Sequence, residues 1–148
     1  MNKLFKKCIF TPINRSKYKG NGAIVARSGW ELKFMNFLDK TDTVLEWRSE
    51  PFPIVYFNPI KQKMSRYYPD FLIIFKGKDG NIHTELIEIK PYKQTIPPVN
   101  TGKKRKSTLL VESHMWFINS AKWKAARDYC AVRNIVFRIM TEKELNIR

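Results

Sequence analysis

The sequence predicts an α/β domain in which a central mixed β-sheet is flanked by helices. Two amphipathic helical stretches, several short segments rich in β-forming residues between them, and a last strand near the C-terminus lead to this prediction. The 148 residues, 43% of them hydrophobic, suffice for one hydrophobic core. We therefore expect a single domain over residues 27–148, preceded by a basic N-terminal arm over residues 1–26.

The arm and the first helix differ in pattern. Residues 1–26 carry Lys, Arg, Pro and Gly without a clear period, which predicts irregular structure. Ser28 and Glu31 then have the S-x-x-E spacing of a capping box, and apolar residues recur at helical intervals after them. The first helix is therefore predicted over residues 29–39.

Four β-segments follow the first helix. Segments 44–50 and 54–57 are rich in β-formers and are separated by prolines, so we predict two strands there. Two more strands are predicted at about 67–75 and 82–90. Residues 76–81 between them have Gly- and Asp-rich turn chemistry, which predicts that these two strands form a hairpin.

The C-terminal third is predicted to be loop, helix and strand. Residues 91–107 contain prolines and a basic run, which indicates an exposed loop. A helix is predicted over residues 108–133, with an interruption near Asn119, and a strand over 135–140. Thr141 is expected to cap a short terminal helix.

Charge is the strongest feature of the composition. Lys and Arg total 28 against 13 Asp and Glu, for a formal net charge of +15, which predicts a polyanionic partner. Nucleic acid is favoured over a membrane surface, because no basic amphipathic helix with an aromatic face stands out.

No apolar run has membrane-spanning length, and Cys8 and Cys130 fit neither a disulfide framework nor a zinc site. We expect a soluble cytoplasmic protein.

An acidic cluster is predicted on the hairpin. Symmetric pairing about its turn places Asp70 opposite Glu88 and Tyr68 opposite Lys90, and strand alternation brings Asp70, Glu88 and Lys90 to one face. Opposed carboxylates repel each other, so a fold that keeps them is expected to hold a cation, and oxygen ligands favour Mg²⁺ or Mn²⁺. The alternative is that Asp70 is a turn residue while Glu88 and Lys90 form a solvated pair.

Glu31 is a candidate third acid. It borders the apolar stripe of the first helix and would then face the sheet, but the capping box with Ser28 requires the same residue, and spacing alone leaves both roles open. His83 and His114 lack a neighbouring nucleophile motif, and the chain has no glycine-rich phosphate loop. Triad hydrolases and nucleotide hydrolases are therefore disfavoured.

The hairpin residues also resemble a known motif. Tyr68-Pro69-Asp70, followed on the next strand by Glu88-Ile89-Lys90, resembles the PD-(D/E)xK nuclease motif. Longer stretches resemble the head completion nucleases of T-even-like tailed bacteriophages, relatives of the transposon-end nuclease TnsA: KYKG, RSGWELKFMNFLD, EWRSE, RYYPDF, LIEIKPYKQTIPP, NSAKWKAARDYC and TEKEL. The resemblance implies a restriction-endonuclease-like fold with an αβββαβ core.

The resemblance further implies a function and residue roles. The chain would be a DNA endonuclease that acts on phage DNA after packaging and before the tail joins, in the host cytoplasm, with virion association as a further location. Its partners would be double-stranded DNA and phage head, portal or neck proteins. Carried over by position, Asp70 and Glu88 match the metal-binding acids, Lys90 the active-site lysine and Glu31 the acid of the first helix, while Gln94 matches a position near the substrate.

Two points of chemistry complete these expectations. Mg²⁺, replaceable by Mn²⁺, would be held by Asp70, Glu88 and the carbonyl of Ile89. DNA backbone contacts are expected from the arm and from the basic run Lys103, Lys104, Arg105 and Lys106, for which a solvated mobile loop is the alternative. The rival functions are a non-catalytic head protein that binds packaged DNA, and a junction-resolving or transposon-end nuclease.

Overall fold

The computed structural model describes residues 5–146. Its two helices are α1 (Gly29–Lys40) and α2 (Lys106–Ala131). Its strands are β1 (Cys8–Phe10), β2 (Ile24–Ala26), β3 (Val44–Ser49), β4 (Ile54–Asn58), β5 (Lys63–Tyr67), β6 (Phe71–Lys76), β7 (Ile82–Ile89) and β8 (Val136–Met140). Short 3₁₀ turns lie at Arg15–Lys17 and Tyr92–Gln94. The predicted α/β class is confirmed.

The central sheet has four strands in the order β3-β6-β7-β8. Neighbouring strands are antiparallel from β3 to β7, whereas β7 and β8 are parallel, so the sheet is mixed as predicted. A parallel pair needs a long crossover connection, and α2 is part of the chain between these two strands. Strands β4 and β5 form a separate hairpin, inserted in the sequence between β3 and β6.

The β6–β7 hairpin has the register that its turn chemistry predicts. Phe71 pairs with Ile87, Ile73 with Glu85 and Lys76 with Ile82. Extended by one residue, this register brings Asp70, which directly precedes β6, level with Glu88. The end of the hairpin away from the turn therefore carries the acidic residues.

The predicted third strand is wrong as a continuous element. Strand β5 ends at Tyr67 and β6 begins at Phe71, with Pro69 buried between them. Proline has no N–H to give to a β-ladder, so it separates the two strands. Strand β5 pairs instead with β4, with Tyr67 opposite Ile54. Because most residues of β5 are exposed and polar, the strand lacks the apolar alternation from which strands are predicted.

The N-terminal segment is more ordered than the predicted irregular arm. Strands β1 and β2 pair antiparallel, and Phe10, Ile24 and Ala26 are buried in the hydrophobic cluster that also contains α1. The backbone N–H groups of Ile13 and Asn14 donate to the buried carboxylate of Asp39 at 2.8 and 2.9 Å. Strands of three residues are too short to show a period, which is why the sequence predicted no structure here. The domain boundary at residue 27 stays a prediction, and residues 1–4 lie outside the described range.

Two predictions near the C-terminus are also corrected. Helix α2 runs without interruption through Asn119, which is buried, because Trp123, Ala126 and Cys130 continue the same buried face. After β8 the described chain forms turns instead of a short helix. The expected cap is nevertheless made there, since the Glu144 carboxylate accepts hydrogen bonds from the backbone N–H and the hydroxyl of Thr141.

The core consists of two clusters, one on each face of the central sheet. Ile87 of β7 belongs to the cluster that contains α1, whereas its neighbour Leu86 belongs to the cluster that contains α2. Both residues are fully buried, so β7 is covered on both faces. Within residues 5–146, neither helix is long and apolar enough to cross a membrane.

Candidate active site

An open cleft of about 410 Å³ lies at the end of the β6–β7 hairpin away from its turn. It is lined by the strand ends, by the first turn of α1 and by the 3₁₀ turn that follows β7. The lining includes the predicted site residues Glu31, Asp70, Glu88, Ile89, Lys90 and Gln94. The residues predicted from the PD-(D/E)xK resemblance therefore meet in one cleft.

Asp70 is held from two sides. Its Oδ2 atom accepts a hydrogen bond from the backbone N–H of Ile89 at 2.8 Å, and its carbonyl accepts one from the N–H of Glu50 at 2.8 Å. These bonds fix the carboxyl group against the end of β7. Burial raises the pKa of Asp70 well above its usual range, and the charges of Glu88 and Glu31 raise it further, although the Ile89 hydrogen bond opposes the shift.

Glu88 is the more deeply placed acid, with 6% of its surface exposed. The hydroxyl of Tyr67 donates to its Oε2 atom, and the Lys90 ammonium lies 3.6 Å from its Oε1 atom. Burial raises the pKa of Glu88, while the Tyr67 hydrogen bond and the charges of Lys90 and Lys122 counteract part of that rise. Two carboxyl groups at one site thus have raised pKa values, which indicates that the protein alone does not fully compensate their charge.

Lys122 and Tyr67 belong to the site although the sequence did not single them out. The Lys122 ammonium lies 5.9 Å from the ring centre of Tyr56 and 5.5 Å from that of Tyr67. Burial lowers the pKa of Lys122, the charge of Lys90 adds to this effect, and the acids Glu88 and Asp70 oppose it. No spacing rule links a lysine in the middle of α2 to this hairpin, so Lys122 had no signal in the sequence.

Glu31 lies in the first turn of α1, next to the N-cap residue Ser28 and at the edge of the cleft. Its backbone N–H donates to the Ser28 hydroxyl at 3.1 Å, which confirms the N-cap, and its own Oε2 accepts from the N–H of Arg27 at 2.7 Å. It also lines the cleft. Burial raises the pKa of Glu31, and the charge of Glu50 acts in the same direction. Its part in catalysis stays a prediction.

The donor set fits a hard divalent cation that keeps part of its water shell. In the described part of the chain, no group of three or more His, Cys, Asp and Glu side chains is placed to hold a metal ion. Asp70 and Glu88 supply two carboxylates, and the Ile89 carbonyl would be a third oxygen. Mg²⁺ is commonly bound by one or two carboxylates together with waters and substrate phosphate, so this small set suits it.

The predicted substrate-binding residues divide into two groups. Gln94 lies in the 3₁₀ turn after β7 and lines the cleft. Lys103, Lys104, Arg105 and Lys106 lie just before and at the start of α2 and are not among the cleft-lining residues. The Lys104 ammonium contacts the Glu112 carboxylate at 2.8 Å. The structure therefore does not bring this basic run together with the acids.

The chain is similar to known nucleases over most of its length. Residues 41–142, which include Asp70, Glu88 and Lys90, match the family described as "TnsA-like endonuclease N terminal". The chain is also 39% identical over 140 residues to the "Head completion nuclease" of Enterobacteria phage T4, an alignment that covers 92% of this chain and 91% of the phage protein. The resemblance predicted from the sequence is confirmed, and the chain belongs to the TnsA-like endonuclease family.

Proposed function

We propose that this protein is a Mg²⁺-dependent endonuclease that hydrolyses phosphodiester bonds of phage DNA during head completion, after packaging and before tail joining. The observation that carries the proposal is the meeting of Asp70, Glu88 and Lys90 in one cleft. The similarity to the head completion nuclease of phage T4 suggests the biological setting. The protein would act in the infected host, with head, portal or neck proteins as its partners.

The order of elements supports a restriction-endonuclease-like fold. Without the N-terminal strands and the inserted β4–β5 hairpin, the chain runs α1, β3, β6, β7, α2, β8. This order corresponds to the αβββαβ core that the resemblance implies. The acids then lie at the ends of neighbouring sheet strands, where rigid elements position them.

In the proposed mechanism, Asp70, Glu88 and the Ile89 carbonyl would hold the ion. When bound, Mg²⁺ supplies Lewis acidity that activates a water and stabilises charge on the phosphate. The Ile89 N–H keeps the Asp70 carboxylate in place. The Lys90 ammonium, 3.6 Å from Glu88, orients the attacking water or neutralises charge on a phosphate oxygen. Attack on phosphorus breaks the P–O3′ bond and leaves a 3′-hydroxyl and a 5′-phosphate.

DNA binding is proposed to depend on backbone charge. The net charge of +15 favours phosphate contacts that do not distinguish bases. Gln94 in the cleft would contact DNA near the cut, and the exposed Lys103, Arg105 and Lys106 would contact it further away. Lys104 already pairs with Glu112 and would have to exchange that partner for a phosphate. We therefore expect cleavage of double-stranded DNA with low sequence specificity.

Plasmid nicking with Mg²⁺ tests the proposal. Glu88→Ala and Lys90→Ala should each lower the nicking rate at least about a hundredfold, because each removes several kcal/mol of transition-state stabilisation. Asp128→Asn is the matched control, since Asp128 is an exposed acid that pairs with Lys124 on α2. Equal nicking by all four proteins, wild type included, would remove the proposed site.

Infection experiments separate cleavage from a structural role in the head. If cleavage is the task, an Asp70→Ala protein should fail to restore infectious particles in a host infected by phage that lacks the wild-type protein. Full infectivity with Asp70→Ala would favour the non-catalytic head protein instead.

Comparing linear, branched and single-stranded DNA as substrates distinguishes the proposed activity from junction resolution and transposon-end cutting.

A further inference from the structure

Tyr67 reaches the proposed metal site from outside the strands that carry the acids. It is the last residue of β5, in the inserted hairpin, yet its hydroxyl donates to Oε2 of Glu88 at 2.5 Å. The resemblance to nucleases assigned roles to Asp70, Glu88 and Lys90 but not to this tyrosine. Its contact with a proposed metal ligand raises the question of what the hydroxyl does there.

The position of the Tyr67 ring is determined by its packing. The residue is 4% exposed, pairs with Ile54 across the β4–β5 hairpin and belongs to the core cluster that contains Leu86 and Ala126. The Lys122 ammonium lies over the same ring. A ring confined on these sides leaves its hydroxyl little freedom, so the donor is held in place before any ligand binds.

The two oxygens of Glu88 consequently have different surroundings. Oε2 receives the neutral Tyr67 hydroxyl, whereas Oε1 lies 3.6 Å from the Lys90 ammonium. The Tyr67 hydroxyl occupies one lone pair of Oε2, which disfavours a two-oxygen contact with one ion and leaves Oε1, 3.6 Å from its Lys90 partner, as the less tightly held oxygen. A neutral donor also satisfies Oε2 without placing a positive charge beside the cation site.

We infer that Tyr67 is a positioning residue that anchors Oε2 of Glu88 and thereby presents Oε1 to the divalent cation as a single-oxygen ligand. The inference rests on the proposed function. Hydrogen bonds to metal-ligating carboxylates orient those ligands, and their loss commonly weakens metal binding about 10- to 100-fold. Tyr67→Phe removes one oxygen atom and keeps the ring, so it isolates the hydrogen bond.

Tyr56 provides a matched control. It lies on the partner strand β4, is 6% exposed, and its ring lies near the same Lys122 ammonium. Its hydroxyl accepts a 3.5 Å hydrogen bond from the Asn58 side chain and, within residues 5–146, makes no hydrogen bond to an acid. Tyr56→Phe therefore reproduces the loss of a buried hydroxyl without touching Glu88.

The experiment counts free Mn²⁺ by electron paramagnetic resonance during titration of the full-length wild type, Tyr67→Phe, Tyr56→Phe and Asp70→Asn. We expect Tyr67→Phe to weaken Mn²⁺ binding about tenfold or more, and Tyr56→Phe to stay within about twofold of the wild type. The Mn²⁺ concentration needed for half-maximal nicking should shift by the same factor for Tyr67→Phe. Asp70→Asn should bind no Mn²⁺ at this site.

Two results overturn the inference and remain distinguishable. If the wild type binds Mn²⁺, Asp70→Asn does not, and Tyr67→Phe binds as tightly as Tyr56→Phe, Tyr67 is not a positioning residue and the proposed function survives. If the wild type itself binds no Mn²⁺, the proposed function fails and this inference fails with it. Far-UV circular dichroism checks folding. Should Tyr67→Phe be unfolded in buffer, all four titrations are repeated in a stabilising osmolyte.

Discussion

The two ends of the β6–β7 hairpin place carboxylates in opposite electrostatic situations. At the turn, Asp79 is exposed and accepts hydrogen bonds from the His83 ring and the Asn81 backbone, and these bonds lower its pKa. At the open end, burial raises the pKa values of Asp70 and Glu88, and the charge of Glu88 raises the pKa of Asp70 further. Acids with local donors stabilise a turn, whereas acids gathered with too few donors are candidates for binding a cation.

The largest expected effect is a difference in nicking rate between substitutions at the two ends of the hairpin. Asp70→Asn should lower the rate of plasmid nicking at least about a hundredfold, because the ion loses a charged ligand. Asp79→Asn at the turn should nick within about twofold of the wild type, since it lies at the far end of the hairpin. Similar losses of nicking rate in both variants would contradict the proposed difference between the two ends of the hairpin.

Metal binding should stabilise the folded protein. At a concentration one hundred times the dissociation constant, Mg²⁺ or Mn²⁺ should add about 2.7 kcal/mol to the free energy of unfolding, provided that the unfolded chain does not bind it. Thermal denaturation with and without the ion measures this as a higher midpoint. The increase should disappear in Asp70→Asn and persist in Asp79→Asn.

A rise in pH should change the contributions of the two hairpin ends to the free energy of unfolding in opposite directions. Asp70 and Glu88 have raised pKa values when folded, so their contribution to stability is complete below the unfolded values and is lost as pH rises through the folded ones. Without metal, the free energy of unfolding of the wild type should fall, relative to that of Asp70→Asn, as pH rises above about 4. Urea unfolding of both proteins across pH measures the difference, and parallel pH profiles would contradict it.

The smallest effect is expected at the turn itself. The lowered pKa of Asp79 contributes stability that is present above its ordinary value of 3.8 and is lost as pH falls through the folded value. Because this acid is solvated, Asp79→Asn should change the thermal midpoint only slightly at neutral pH. A large loss of stability in this variant would show that the turn carries more than local hydrogen bonds.

Local patterns explain which parts of the fold could be predicted from the sequence. Turn chemistry at residues 76–81 and alternation in its flanking strands were enough to predict the register that brings Asp70 level with Glu88. The capping box at Ser28 likewise predicted the start of α1. Both signals lie within a few residues of the element that they determine.

The unpredicted parts depend on contacts between distant segments. Strand β5 is recognisable only beside β4, and the N-terminal strands only through their burial against the core. Tyr67 ends β5 and does not begin, as predicted, the strand that contains Phe71, because Pro69 interrupts the chain between them. Lys122 is brought over the Tyr67 ring, where its charge acts on Glu88, by the packing of α2 against β4, which no spacing in the sequence encodes.

The inserted β4–β5 hairpin would have to be included if this site were built into another protein. A designer who copied only the four-stranded sheet and joined β3 directly to β6 would keep both acids and the lysine but discard β5 and its tyrosine. The copied glutamate would then lack the hydroxyl that donates to its Oε2 atom, a loss that costs free energy if that oxygen stays buried. On the proposed role of Tyr67, a minimal version of this site therefore needs the hairpin as well as the sheet.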